Sequence, residues 1–163
     1  MQRRGVESGA QRYLELAEPL YGAAAAVVAG WRHAAARDWP ALRALEPALA
    51  AADVRDPAYD DARRLRLQWR SAADDPALRA EALEIATEML RSTLTQEDAV
   101  VTAQAFAAAG QRDQTLQLLD LLSRMRLDRK AARAGVALLD ALVPEAEAAE
   151  WEPLRERLTR GVE

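Results

Sequence analysis

The chain has 163 residues, 50% of them hydrophobic and 29% charged, with a formal net charge of −4. That length suits one domain, and that balance excludes both an acidic tail and the basic surface of a general nucleic-acid binder. The absence of cysteine excludes disulfides, thiolate metal sites and a cysteine nucleophile.

The apolar half is mostly Ala and Leu, and β-branched residues are scarce. Together with Arg and Glu these are strong helix formers, and the apolar positions recur at steps of three or four along the chain, never at two. In chain order the pattern predicts helices near 9–18 and 19–37, the latter with Leu20, Ala24, Val27, Val28 and Trp31 on one face. Next come 40–53, carrying Leu42, Leu45, Leu49 and Ala52, and 57–73, carrying Ala62, Leu65, Trp69 and Ala72. Helices near 76–92, 96–109 and 113–126 follow, with Ile85 and Met89, Ala103 and Phe106, and Leu119 and Leu122 as their respective apolar positions. The last two span 129–142 and 145–160. Asp56-Pro57 and Asp75-Pro76 place a capping carboxylate before a proline at the first helical position. Asp38, Asp113 and Asp128 are further N-cap candidates, Thr95-Gln96-Glu97-Asp98 reads as a capping box, and Gly110 as a C-terminal stop.

The stretch Met1 to Ala10 carries arginines with no apolar run behind them, so no signal peptide is expected there. The longest apolar run, Tyr21 to Trp31, falls far short of a membrane span. The expectation is a cytoplasmic protein without membrane insertion, or a periplasmic one if the chain is cut from a longer protein.

One string repeats. Pro40-Ala41-Leu42-Arg43-Ala44 returns as Pro76-Ala77-Leu78-Arg79-Ala80, 36 residues on. Asp113-Gln114-Thr115-Leu116 is a degenerate third copy, and Trp151-Glu152-Pro153-Leu154-Arg155 echoes Trp39-Pro40-Ala41-Leu42-Arg43 as a fourth. Self-similarity at a period in the thirties marks arrays of helical hairpins. Short connections make neighbouring helices antiparallel, and stacked hairpins bury a stripe that no single hairpin can cover.

The run Ala99, Ala103, Phe106, Gly110, Leu119 and Leu122 resembles a tetratricopeptide repeat (TPR), which spaces small and aromatic residues along a first helix, turns at glycine, and continues with small or apolar positions. Thr115 stands where that family has alanine. A preceding unit offers Ala62, Leu65, Trp69, Leu78 and Ala82 with Ala73 at the turn. The first offers Val28 or Gly30, Arg37 at the turn, and Leu42. The resemblance covers roughly 19–142 and departs at Pro144, where a turn belongs; 143–163 then reads as a capping helix around Trp151, Leu154 and Leu158. It implies an all-α fold, a right-handed α-α superhelix of about four TPR-like units and eight or nine helices in a single domain. Other α-hairpin solenoids and irregular bundles satisfy the same small-large alternation.

Catalysis finds little support. His33 is the only histidine, no nucleophile-elbow signature flanks any serine, and no glycine-rich phosphate loop is present. A helix C-terminal histidine is the plainer account of His33. Carboxylate pairs such as Asp60-Asp61 and Asp74-Asp75 sit at helix N-termini, where negative charge is favourable regardless. The expectation is a protein without enzymatic activity, cofactor or metal.

The basic cluster Arg63, Arg64, Arg66 and Arg70 is the sequence's candidate for binding. The TPR resemblance implies that first helices line a concave face, which would carry Asp60, Arg63, Leu67 and Arg70 with Trp31 and Gln104 beside them. Arginine forks pair with carboxylates, so an acidic or C-terminal segment of a partner protein, peptide or helix, fits such a face. The other reading is a solvated helix face, with Asp60 and Asp61 paired to Arg63 and Arg64 at helical spacing. The family's carboxylate-clamp pattern of lysines and asparagines is absent. The resemblance implies a protein-binding scaffold. A secretion or assembly chaperone, or a helical domain serving homo-oligomerisation or regulation in a larger protein, are the alternatives. No nucleic-acid partner is expected, because aromatics do not interleave with the arginines.

Overall fold

The computed structural model describes residues 23–92 and 94–160. The helix expected near 9–18, and the start of the one expected at 19–37, lie outside them. Every regular element among the described residues is helical. The chain divides into two compact units, Met1–Trp69 and Arg70–Glu163.

In the first unit, α1 (Ala23–Ala35) ends in a Schellman turn. Asp38 N–H donates to the His33 carbonyl at 2.9 Å and Arg37 N–H to that of Ala34 at 3.0 Å, with Arg37 in the left-handed region at φ 55°. Asp38 then caps α2 (Trp39–Ala44), its carboxylate accepting from Ala41 N–H at 3.2 Å.

The single helix expected at 40–53 is two, α2 and α3 (Glu46–Ala50). Pro47 is the cause. It has no N–H for the carbonyl four residues back and its ring crowds that carbonyl, so it is tolerated only where a helix begins. Helix α4 (Tyr59–Ala72) starts two residues after Pro57, because Asp56 spends its carboxylate on Ala58 N–H (2.8 Å) and its carbonyl on Tyr59 N–H (2.9 Å). Helix α1 packs on α2 and α3. At Gly30 the approach is closest: a Cβ there would lie 2.6 Å from Leu65 Cδ1 and 3.3 Å from Leu42 Cδ1.

The second unit continues with α5 (Pro76–Met89), α6 (Gln96–Ala108), α7 (Arg112–Ser123), α8 (Arg129–Leu142), a 3₁₀ turn (Glu145–Glu147) and α9 (Ala148–Thr159). Asp75 caps α5 through Ala77 N–H at 2.9 Å. Thr95 and Asp98 form the reciprocal box before α6: Asp98 N–H donates to Thr95 Oγ1 at 3.2 Å and Thr95 N–H to Asp98 Oδ2 at 3.1 Å. Gly110, at φ 73°, closes α6 with a second Schellman turn, Gln111 N–H reaching the Phe106 carbonyl at 2.9 Å. Asp113 is not a cap, since α7 begins at Arg112 with Gln111 in the capping position.

Asp128 caps α8 through Ala131 N–H (2.7 Å) and also meets the side chain of Gln96. Gln96 Nε2 donates to Asp128 Oδ2 and Asp128 N–H donates to Gln96 Oε1, both at 2.9 Å.

Within this unit each helix packs against the next, and α6 and α7 also pack against the helix after that, α8 and α9 respectively. This is the neighbour pattern of stacked hairpins. Leu119, Leu122 and Leu158 are fully buried in the shared core, each contributing roughly 1.5–3 kcal/mol. Thr115 is buried with them and satisfies its hydroxyl on the Gln111 carbonyl at 2.8 Å.

Helices begin at Trp39, Pro76, Arg112 and Ala148, spaced 37, 36 and 36 residues. The period holds, but the strings that suggested it drift. Pro40 is the second residue of its helix and Pro76 the first, whereas Pro153 lies inside α9. The echo at Trp151 is therefore out of register.

Candidate interaction surfaces

Helix α4 carries the four arginines that stood out in the sequence, and each has a carboxylate partner within the chain. Arg63 Nη2 donates to Asp60 at 2.7 Å and its guanidinium lies 4.7 Å from the Tyr59 ring centroid. Arg64 Nη1 donates to Asp61 at 2.8 Å. Arg66 Nε donates to Glu46 Oε1 at 2.8 Å, while the other oxygen of Glu46 accepts from Trp69 Nε1 at 3.0 Å. Arg70 Nε donates to Glu81 at 3.0 Å. The side chains of Arg63, Arg64 and Arg70 are 13%, 10% and 8% exposed. Pairing at helical spacing thus accounts for Arg63 and Arg64.

The six residues expected on one binding face fare differently. Leu67 is fully buried, so its side chain belongs to the interior and offers no contact surface. Arg70 is buried and paired. Trp31 is half-buried, and Asp60 and Gln104 are exposed. Trp31, Asp60, Arg63 and Leu67 fall in the first unit and Arg70 and Gln104 in the second.

His33 occupies the last turn of α1, its Nδ1 3.8 Å from the Asp38 carboxylate. Among the described residues no group of three or more His, Asp or Glu side chains could hold a metal ion, and no helix is long and apolar enough to cross a membrane.

No family model, curated protein or solved structure matches the chain. The surfaces must therefore be read from their own residues.

Two features of the second unit remain. The first is a shallow groove between α7 and α9, lined by Leu116, Trp151 and Leu154. Its rim is closed by the ion pairs Arg112–Glu147 and Arg157–Asp120, the latter at 2.8 Å. Trp151 Nε1 and Arg112 Nε are buried without a hydrogen-bond partner among the described residues.

The second is the α7–α8 connection, which the sequence reading passed over. Across 124–133 the chain has Arg124, Arg126, Arg129, Lys130 and Arg133 against the single acid Asp128. Arg124 pairs with Asp120 at 2.6 Å. Arg126, Arg129, Lys130 and Arg133 are all exposed, and among the described residues none of the four has a carboxylate within ion-pair distance. A signal for it existed in the sequence. In α4 an acid stands three residues before Arg63 and before Arg64, whereas no acid stands three or four residues from Arg129, Lys130 or Arg133 on their helix.

Proposed function

We propose that the chain is a protein–protein interaction scaffold, holding a peptide or helix of a partner on a TPR-like stack of helical hairpins. The observation that supports this reading is the neighbour pattern of α5 to α9, in which each helix packs against its sequence neighbours as in an array of hairpins. Such surfaces suit extended or helical segments of other proteins. The 36-residue spacing of helix starts and the two Schellman turns agree with a repeat built for this purpose. The superhelical arrangement of all four hairpins, with first helices facing the partner, is part of the proposal.

The test is covalent capture in the native cell. Photoreactive residues replace exposed positions such as Gln104 and Gln117, one at a time, in the full chain. A discrete protein adduct, formed at some positions and not at others, is the expected result. Uniform absence of adducts at every exposed position of α6 to α9, with the variants folded by circular dichroism, would sink the reading.

A further inference from the structure

We infer that the α7–α8 connection is a docking surface for an acidic segment of a partner protein, engaged by Arg126, Arg129, Lys130 and Arg133. This rests on the scaffold reading and adds the place and the chemistry of the contact.

Electrostatics carries the inference. Arg129 and Lys130 occupy the first turn of α8, which contains no acid. The N-terminus of a helix is its positive end, so cations there oppose the macrodipole. Arg129 and Arg133 are four residues apart and Lys130 and Arg133 three, and like charges at those spacings repel. The one carboxylate in the segment, Asp128, is committed to Ala131 N–H and to Gln96. The charges of Arg129, Lys130 and Arg133 thus work against the stability of α8, and among the described residues no carboxylate pairs with any of them. The arginines of α4 show the opposite design, each matched to an acid. An anion from outside completes the pattern at the connection.

The surroundings favour a protein as its source. No aromatic residue lies between Phe106 and Trp151, so no aromatic is interleaved with the cluster as a base-stacking platform. The second unit outside the cluster is acidic, with Asp113, Glu145, Glu150 and Glu152 on the flanking elements. A long polyanion or an anionic membrane plane would meet that repulsion, while a short acidic peptide need cover only the cluster. Met125 and Leu127, both half-buried beside it, offer aliphatic contact to the apolar side chains of such a segment.

The experiment is fluorescence anisotropy on the full chain with a labelled peptide of about twelve residues alternating Glu and Leu. A Lys/Leu peptide, a double-stranded oligonucleotide and phosphatidylserine vesicles serve as rival probes. The acidic peptide is expected to bind, to weaken about tenfold or more between about 50 and about 300 mM salt, and to lose at least about tenfold in affinity in Arg129→Gln/Lys130→Gln/Arg133→Gln. That variant relieves repulsion, so it should melt no lower than the parent, which separates lost binding from lost folding. Equal binding by the variant, no binding of the acidic peptide, or tighter binding of the oligonucleotide or vesicles overturns the inference. Adducts captured in the cell and unchanged in the triple variant would leave the scaffold reading intact and place its contact elsewhere.

Discussion

Arg37 and Gly110 hold the same left-handed backbone conformation, at φ 55° and 73°, in the same kind of turn at the ends of α1 and α6. Glycine adopts it freely, whereas a side chain costs about 1 kcal/mol or more. Arg37→Gly should therefore raise stability by about 0.5–1 kcal/mol, and Gly110→Ala should lower it by about 1 kcal/mol. Space does not enter at Gly110, where an added Cβ meets nothing within 4 Å. Urea denaturation of both variants checks the pair; a loss of stability in Arg37→Gly would contradict the strain assigned to that residue.

Gly30 and Gly135 lie inside helices, where alanine is intrinsically better by about 1 kcal/mol. Their neighbours differ. A Cβ at Gly30 would meet Leu65 at 2.6 Å, against 3.1 Å to Leu158 at Gly135. Leu65 is fully buried, so overpacking by roughly 1–3 kcal/mol should outweigh propensity in Gly30→Ala. Gly135→Ala should stay within about 1 kcal/mol of the parent. Thermal melting ranks the two, and the reverse order would be decisive against this packing.

Glu46 gives one oxygen to Arg66 and the other to Trp69. The Arg66 and Glu46 side chains are 26% and 21% exposed, so screening is partial. Glu46→Ala should cost about 1–3 kcal/mol, and a double-mutant cycle with Arg66→Ala should show coupling of at least about 0.5 kcal/mol. Strict additivity would reduce the pair to a surface contact.

Asp128 and Asp113 both looked like helix caps, and only Asp128 is one. Asp128→Ala should lose about 1–2 kcal/mol and Asp113→Ala less than about 0.5 kcal/mol, measured by chemical denaturation. Comparable losses would put the start of α7 in the wrong place.

The helices and most of their caps were legible because they depend on short-range chemistry. The boundary at Asp75-Pro76, the box from Thr95 to Asp98 and the stop at Gly110 each involve residues within five positions of one another. Pro47 was equally visible, yet the apolar step from Leu42 through Leu45 to Leu49 runs straight across it and hid the break. The candidate site was less legible. Counting cations drew attention to α4, but which arginine is satisfied depends on partners such as Glu46 and Glu81, twenty and eleven residues away. Leu67 was placed on the binding face by the TPR resemblance, whereas its side chain is fully buried.

The reciprocal bonds between Gln96 and Asp128 reach beyond the two side chains. The residue that opens one hairpin is clasped to the cap of the next, and both are anchored over a core shared by α6 to α9. In a linear array, coupling of this kind sets how far unfolding spreads from one repeat before it stops. Here the Gln96–Asp128 clasp and the shared core join α6–α7 to α8–α9. The second unit should melt in one transition, and α6–α7 should not persist after α8–α9 has been lost.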